Sequence, residues 1–392
     1  MLKLEKIVKT DRIYRPFNYL INKKSGERFQ ASDFYFYPLS VQDYATTYKN
    51  LDFKNYPLMA FIYLTNRCTD NCIGCFARSI EDGNAELEWP VVKRLLEDLS
   101  EHGTKSIKLA GREPTAYGHL SECLETAHQY GLKSLVITSA SNINIHADAI
   151  SQFCSHLRVS LNTISQEKHD ELHRPSSKSL RYNERLHYVK RILIERRSRG
   201  LISGATFLIR ENTITDAYVF AAMCKEMGFN YVRFSILDGM QNQWKENEAL
   251  YYQILSLSDD EFSVIFHDTI HEAQDRIDEK NRNLDLAMFT RVTIHANGKV
   301  NACHEGWRTK WPTPGFATYG NINESNFYDI WTGERRKNFI DFIHQQGSSI
   351  YCANCKYDSF NRIHRWIYQQ VEKYDISDLI PSMIPEQWNA LR

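Results

Sequence analysis

From about residue 58 the chain alternates short apolar runs with longer amphipathic stretches, and this alternation limits the fold more than any other feature. The runs are MAFIYLT (59–65), SIKLAG (106–111), SLVITS (134–139), LRVSLN (157–162), ATFLIR (205–210) and YVRFSIL (231–237). They are rich in β-branched or aromatic residues and mostly lack clean alternation, so each reads as a strand buried on both faces. Between them lie helical patterns. WPVVKRLLEDLSEHG, HLSECLETAHQYG and NERLHYVKRILIERRSRG end in Gly103, Gly131 and Gly200, and DAYVFAAMCKEMGF carries Gly228 near its end. Six such β-α repeats predict an α/β fold with a parallel sheet and right-handed crossovers, curled into a partial (β/α)6 barrel. Chemistry then belongs at the carboxyl ends of the strands.

Polar residues collect at that rim. Cys68, Cys72 and Cys75 follow the first run, Glu113 the second and Ser139 the third; Ser160 and Asn162 end the fourth, and Arg210 ends the fifth. The cysteines, spaced C-x3-C-x2-C in LTNRCTDNCIGCFAR, form a thiolate ligand set. A structural zinc or a closed four-iron cluster wants four protein ligands. Three on one tight loop can hold a cubane by three irons and leave the fourth open to a small molecule. Taken alone, the triplet also fits a zinc knuckle or three unrelated thiols.

Composition narrows the function. The chain has 392 residues, 42% of them hydrophobic, which is ample for a large core with an appendage or for two to three domains. Lys+Arg and Asp+Glu are both 48, which argues against a broad electrostatic footprint for nucleic acid. No signal-peptide core and no stretch of membrane-spanning length is visible. Nine cysteines in so long a chain do not suggest a disulfide framework, and six of them fall into two ligand-like clusters, which fits a reducing cytoplasm. There is no P-loop, GxGxxG, GxSxG, HxxH or HExxH.

The cysteine loop after an apolar run, together with Gly111-Arg112-Glu113-Pro114 at the end of the second run, resembles the radical S-adenosylmethionine (SAM) superfamily. That resemblance implies a [4Fe-4S] cluster on Cys68, Cys72 and Cys75. SAM chelates its open iron and is cleaved reductively to a 5′-deoxyadenosyl radical that abstracts hydrogen from a substrate. Gly111, Glu113 and Pro114 match the family's GGEP motif, which binds the methionyl amine of SAM. A carboxylate and strand-end carbonyls are suitable acceptors for an ammonium. Arg112 departs from the motif's second glycine, and its side chain is left to solvent, to Glu113 or to SAM's carboxylate. Gly74 stands where the family usually has an aromatic residue, with Phe76 just after Cys75. Ser160 and Asn162 match positions that reach SAM's ribose or carboxylate, with helix capping by Asn162 or Thr163 as the alternative. Thr138 and Ser139 replace a Thr-Asn-Gly and are placed near the adenosine or in a cap.

The last third resembles the appended SPASM and twitch domains, which hold auxiliary four-iron clusters. Asn297-Gly298 is a hairpin signal. Cys303 follows its second strand, YGNINESNFYDIW reads as a strand leading to a Trp-ended helix, and Cys352 and Cys355 form a later CxxC. A full SPASM domain has seven cysteines. Here only Cys303, Cys352 and Cys355 are present, so a second [4Fe-4S] cluster of the one-cluster type is expected. Its fourth position is open or is filled by His304, Asn361 or another residue; zinc is the alternative.

The expected organisation is a β-hairpin extension over 1–57, with its turn at Lys24-Ser25-Gly26, the barrel over 58–240, linker helices and the auxiliary-cluster domain over 241–365, and a tail over 366–392. The hairpin either closes the barrel's open edge or bottom, or docks substrate. Only about 57 residues precede the barrel, which disfavours a large leader-peptide-binding domain there. Cys123, Cys154 and Cys224 read as small buried hydrophobes rather than hydrogen-atom donors. The resemblance implies an oxidoreductase in the cytoplasm. It would carry out a net dehydrogenation or cross-link on a peptide or a small biosynthetic intermediate and would be fed by an electron donor such as flavodoxin or ferredoxin. The alternatives are a redox-neutral epimerase or lyase and a non-catalytic metal-binding scaffold.

Overall fold

A computed structural model describes residues 17–22, 24, 28–34, 39, 41–75, 77, 83–196, 200–210, 212–236, 246–259, 261–266, 286–303, 315–346, 358–375 and 379–382. The chain opens with an antiparallel pair, β1 (Phe17–Asn22) and β2 (Arg28–Phe34), joined around Lys24; Ser25 and Gly26 of the expected turn lie outside the described residues. Helix α1 (Val41–Lys49) follows.

The six predicted runs are all strands: β3 (Met59–Tyr63), β4 (Ser106–Ala110), β5 (Lys133–Thr138), β6 (His156–Ser160), β7 (Ile202–Ile209) and β8 (Tyr231–Ile236). They pair in sequence order, each parallel to the next. The intervening helices include α2 (Trp89–Glu101), α3 (Leu120–Gln129), α4 (Ile143–Phe153), α5 (Gln166–His173), α6 (Tyr182–Arg196) and α7 (Ala217–Met227). Helix α2 shows why these stretches are helical. Pro90 sits in its first turn, where its missing N–H costs nothing, and Val92, Leu95, Leu96 and Leu99 form one buried stripe.

The sheet is larger than six strands. β9 (Ser263–Phe266) adds parallel to β8, and β10 (Arg291–Ile294) adds parallel to β3 at the other edge, so eight strands run in one direction. Two antiparallel strands, β11 (Lys299–Asn301) and β12 (Thr318–Asn321), extend the β10 edge.

The Asn297-Gly298 hairpin therefore grows directly from the barrel sheet. Gly298 has φ +85°, and a Cβ there would lie 2.2 Å from Asn321 Oδ1, so a side chain fits neither the backbone nor the space. The helix Phe327–Thr332 follows β12 and buries Trp331, whose Nε1 donates to the Asn55 carbonyl at 2.8 Å. Tyr328 N donates to Asp98 of α2 at 2.9 Å, so this unit leans on the barrel's helical layer.

The first hairpin does not join the barrel sheet. β1 pairs with β13 (Leu379–Ser382) in a separate three-stranded sheet. Helix α1 packs on the helix Asp358–Val371, where Tyr44 and the buried His364 meet edge to face at 4.7 Å between ring centroids. No helix among the described residues is long and apolar enough to cross a membrane.

Candidate functional site

The loop 65–75 leaves β3 and lies across the end of α5. Asn71 N and Ile73 N donate to the carbonyls of His173 and Leu172, each at 2.9 Å, and Ser176 N donates to the Thr69 carbonyl at 2.9 Å. The free carbonyls at the helix terminus thus find donors in the cysteine loop. Arg210, at the end of β7, donates to the Ile73 carbonyl at 2.7 Å. Gly74 beside it has φ +70°, a left-handed turn that an aromatic side chain would strain.

Asp70 fixes the middle of the loop. Its carboxylate forms a bidentate pair with Arg185 of α6, at 2.7 and 2.8 Å, and both side chains are wholly buried. Ser179 Oγ adds a third donor to Asp70 at 2.8 Å, and Arg185 also donates to the Ser139 and Leu180 carbonyls at 2.9 Å. One guanidinium therefore ties the cysteine loop to the end of β5.

His173 reaches the same place, with Nδ1 3.6 Å from Cys72 Sγ and 3.6 Å from Asp70 Oδ2. Asp70, Cys72 and His173 bring potential ligand atoms within 4.8 Å of one another. Arg185 already occupies both Asp70 oxygens, which leaves Cys72 Sγ and His173 as the donors of that group.

Cys68, Cys72 and Cys75 all keep some surface. Burial pushes the Cys68 and Cys72 thiols up to about 12, and the nearby charges of Glu113 on Cys68 and Asp70 on Cys72 add to it. Cys72 also feels Cys75. A crowded thiol set of this kind becomes a thiolate set only beside a cation, and a bound iron cluster supplies one. The donor set fits such a group.

Gly111 has φ +121°, and a Cβ there would come within 3.2 Å of Tyr63 on the neighbouring strand, so glycine is required. Arg112, half-buried, donates to the Asn66 carbonyl at 3.1 Å, binding this turn to the base of the cysteine loop. Pro114 begins a short 3-10 turn, Pro114–Ala116.

Glu113 is 1% exposed. It accepts from Thr115 N at 3.0 Å, Thr115 Oγ1 at 2.6 Å, Ser139 N and Oγ at 2.8 Å each, and Thr138 Oγ1. Its carboxylate welds the second and third strand ends together.

Asn162 takes a left-handed conformation, φ +59°. Its Oδ1 accepts from Leu208 N at 3.0 Å and its Nδ2 lies 3.3 Å from His173 Nε2. Neither Asn162 nor Thr163 caps α5; Ser165 does, accepting from Lys168 N at 3.3 Å. Ser160 stands half-buried at the end of β6.

Cys303 lies half-buried just past β11, while Cys352, Cys355 and His304 lie outside the described residues. Cys123, Cys154 and Cys224 are wholly buried, and Cys154 donates to the His156 carbonyl at 3.1 Å, at the barrel's amino-terminal end.

Residues 62–216 match the radical SAM superfamily, and residues 286–356 match an iron–sulfur cluster-binding domain, SPASM. These domains imply [4Fe-4S] clusters and SAM as cofactors. Over 85 residues the chain is 38% identical to the PqqA peptide cyclase of Rhodopseudomonas palustris, covering 21% of this chain and 22% of that protein. Over 81 residues it is 36% identical to the 7,8-dihydro-6-hydroxymethylpterin dimethyltransferase of Methanocaldococcus jannaschii, covering 20% and 16%. The matches thus span about a fifth of these curated relatives' length.

Among solved structures, Streptococcus suis SuiB bound to the precursor peptide SuiA aligns with TM-score 0.56 and 16% identity, over 78% of this chain and 71% of that one. The protein anSMEcpe with bound AdoMet aligns with TM-score 0.52 and 15% identity, over 77% and 84%. At these identities the likeness is one of fold.

Proposed function

We propose that this chain, which belongs to the radical SAM superfamily and carries a SPASM domain, catalyses a net oxidation of a peptide, either a dehydrogenation or a cross-link. The observation that carries the reading is the braced cysteine loop beside the Glu113–Ser139 rim, at the carboxyl ends of parallel strands. Cys68, Cys72 and Cys75 would hold the first cluster, and Cys303, Cys352 and Cys355 the second. When bound, the cluster and SAM supply a hydrogen-abstracting radical. The chain's own residues do the rest.

Gly111 lets the backbone come close to SAM's methionyl end, with Glu113 holding the rim that receives its amine. Ser160 is free to meet the ribose or carboxylate, while Asn162 positions His173 beside the cysteine loop. The strand-end rim confines the reacting carbon and limits water around it.

Peptide as the substrate class is favoured by the likenesses to a peptide cyclase and to SuiB with its precursor peptide. A small biosynthetic intermediate is the coarser alternative. A redox-neutral epimerase would need a hydrogen donor near the rim. Cys123, Cys154 and Cys224, buried away from it, do not offer one. Electron supply by a flavodoxin or ferredoxin and a cytoplasmic location belong to the same reading.

Anaerobic reconstitution followed by dithionite and SAM tests it. The expected product is 5′-deoxyadenosine, and with substrate present one oxidised product per SAM consumed. Incorporation of solvent deuterium into an inverted carbon would replace this reading with epimerisation.

A further inference from the structure

Four alternate strands, β4, β6, β8 and β10, each carry one cation: Lys108, Arg158 and Arg233 in mid-strand, and Arg291 at the start of β10. Their chain neighbours Ile107 and Leu109, Leu157 and Val159, Val232 and Phe234, and Val292 belong to the apolar core, and Phe234 meets Phe220 of α7. Strand alternation therefore turns the four cations to the opposite face, into the lumen. The outward neighbours are fully buried, while the four cations keep part of their surface accessible.

The Phe61 ring joins two of them, 4.2 Å from Lys108 Nζ and 5.9 Å from the Arg291 guanidinium. Burial, and then the charges of Arg158, Arg233 and Arg291, hold the Lys108 ammonium well below its usual range; among the described residues these three charges are all positive. Complete barrels usually fill such a layer with bulky branched side chains from alternate strands. The like charges of its three neighbours repel the Lys108 ammonium. Lys108 and Arg233 have no ion-pair partner among the described residues. Nε of Arg233 and the hydroxyl of Thr206, which faces Arg233 across β7 and β8, are buried without a hydrogen-bond partner among the described residues.

We infer that this layer receives an anionic group of the substrate, a carboxylate or a phosphate, beneath the SAM-binding rim. The inference rests on the function proposed above and specifies its substrate class. Lys108 and Arg233, which have no ion-pair partner among the described residues, are the members of the layer placed to recognise such oxygens by charge-assisted hydrogen bonds.

The test follows thermal unfolding of the anaerobically reconstituted full chain and of its K108M and R233Q variants, at constant ionic strength. The added probes are succinate, inorganic phosphate and the neutral succinamide. The wild type should be stabilised by succinate, phosphate or both, and not by succinamide; the effective anion identifies the group. Each substitution should weaken the apparent anion affinity roughly tenfold. Without anion, K108M should unfold about 1–3 °C higher, because a repelled cation is gone.

Equal stabilisation of all three proteins, stabilisation by none of the anions, or loss of the anion effect when SAM is saturating would overturn the inference. Formation of 5′-deoxyadenosine by the same wild-type preparation reports separately on the underlying function. An intact anion response without that product sinks the reaction and spares the lumen site.

Discussion

The carboxylates of the rim and two cations of the lumen, Lys108 and Arg233, differ in how fully their polar atoms are paired. Around the cysteine loop, Asp70 is answered by Arg185 and Ser179, Glu113 by Thr115, Thr138 and Ser139, and Asn162 by Leu208 and His173. One layer deeper, Lys108 has an aromatic ring for a neighbour and Arg233 Nε has no acceptor. Saturated groups fix geometry, whereas unsatisfied buried groups need an explanation, and a ligand is the one that suits a lumen. On the proposed reading, the contrast separates residues that hold the cofactor site in shape from residues that have capacity left for substrate.

The strongest way to break the contrast is to remove the thiols. Replacing Cys68, Cys72 or Cys75 with Ala is expected to abolish 5′-deoxyadenosine formation and to lower bound iron by about four atoms per chain, as measured after reconstitution. A variant that keeps its iron would show that the rim is not the first cluster's site. Next comes the brace. R185M leaves the Asp70 carboxylate buried without its partner and should cost about 3–5 kcal/mol in denaturant unfolding. The double change D70L/R185L should recover part of that loss, because an apolar pair has no charge to strand.

E113Q sharpens the comparison. It puts an amide where Ser139 N and Oγ now donate, and should cost about 1–3 kcal/mol of stability. A rise in KM for SAM that exceeds this loss would make Glu113 a direct ligand of the methionyl amine; a stability loss alone would make it a brace.

The smallest effect lies outside the barrel, at the exposed pair Lys225–Asp259, 2.6 Å apart. The Lys225 hydrogen bond lowers the Asp259 carboxyl to about 2, below the roughly 3.9 of an unfolded chain. The pair's contribution is therefore present above that unfolded value and is lost as pH falls through about 2. D259N should cost under about 0.5 kcal/mol at pH 7 and nothing in strong acid, by denaturation at both pH values.

What can be read along the chain depends on distance. Gly111, Gly298 and the cysteine spacing meet constraints set by a turn or an adjacent strand, and the residues themselves announce them. The six core strands are legible because each is a run closed by its own helix. Strand β9 is only four residues long, and β10 returns to β3 after the whole barrel, so no local pattern assigns either to the sheet.

The same holds for Asp70 and Arg185, 115 residues apart. One reads as a loop residue and the other as an ordinary charge on an amphipathic helix. The lumen cations carry a weak signal, a charge inside three otherwise apolar runs and at the start of a fourth. Nothing local shows that all four converge.

The sequence alone determined the barrel repeat, the thiolate loop at a strand end and the turn that follows the second strand. Each depends on residues within one turn or one β-α unit. Only the tertiary structure decided that Glu113 and Asn162 spend their polar atoms on neighbouring strands, that Arg112 faces the cysteine loop and that four cations share one interior. Those outcomes follow from closing the sheet, which sets the inward face of every strand against faces far away in the chain.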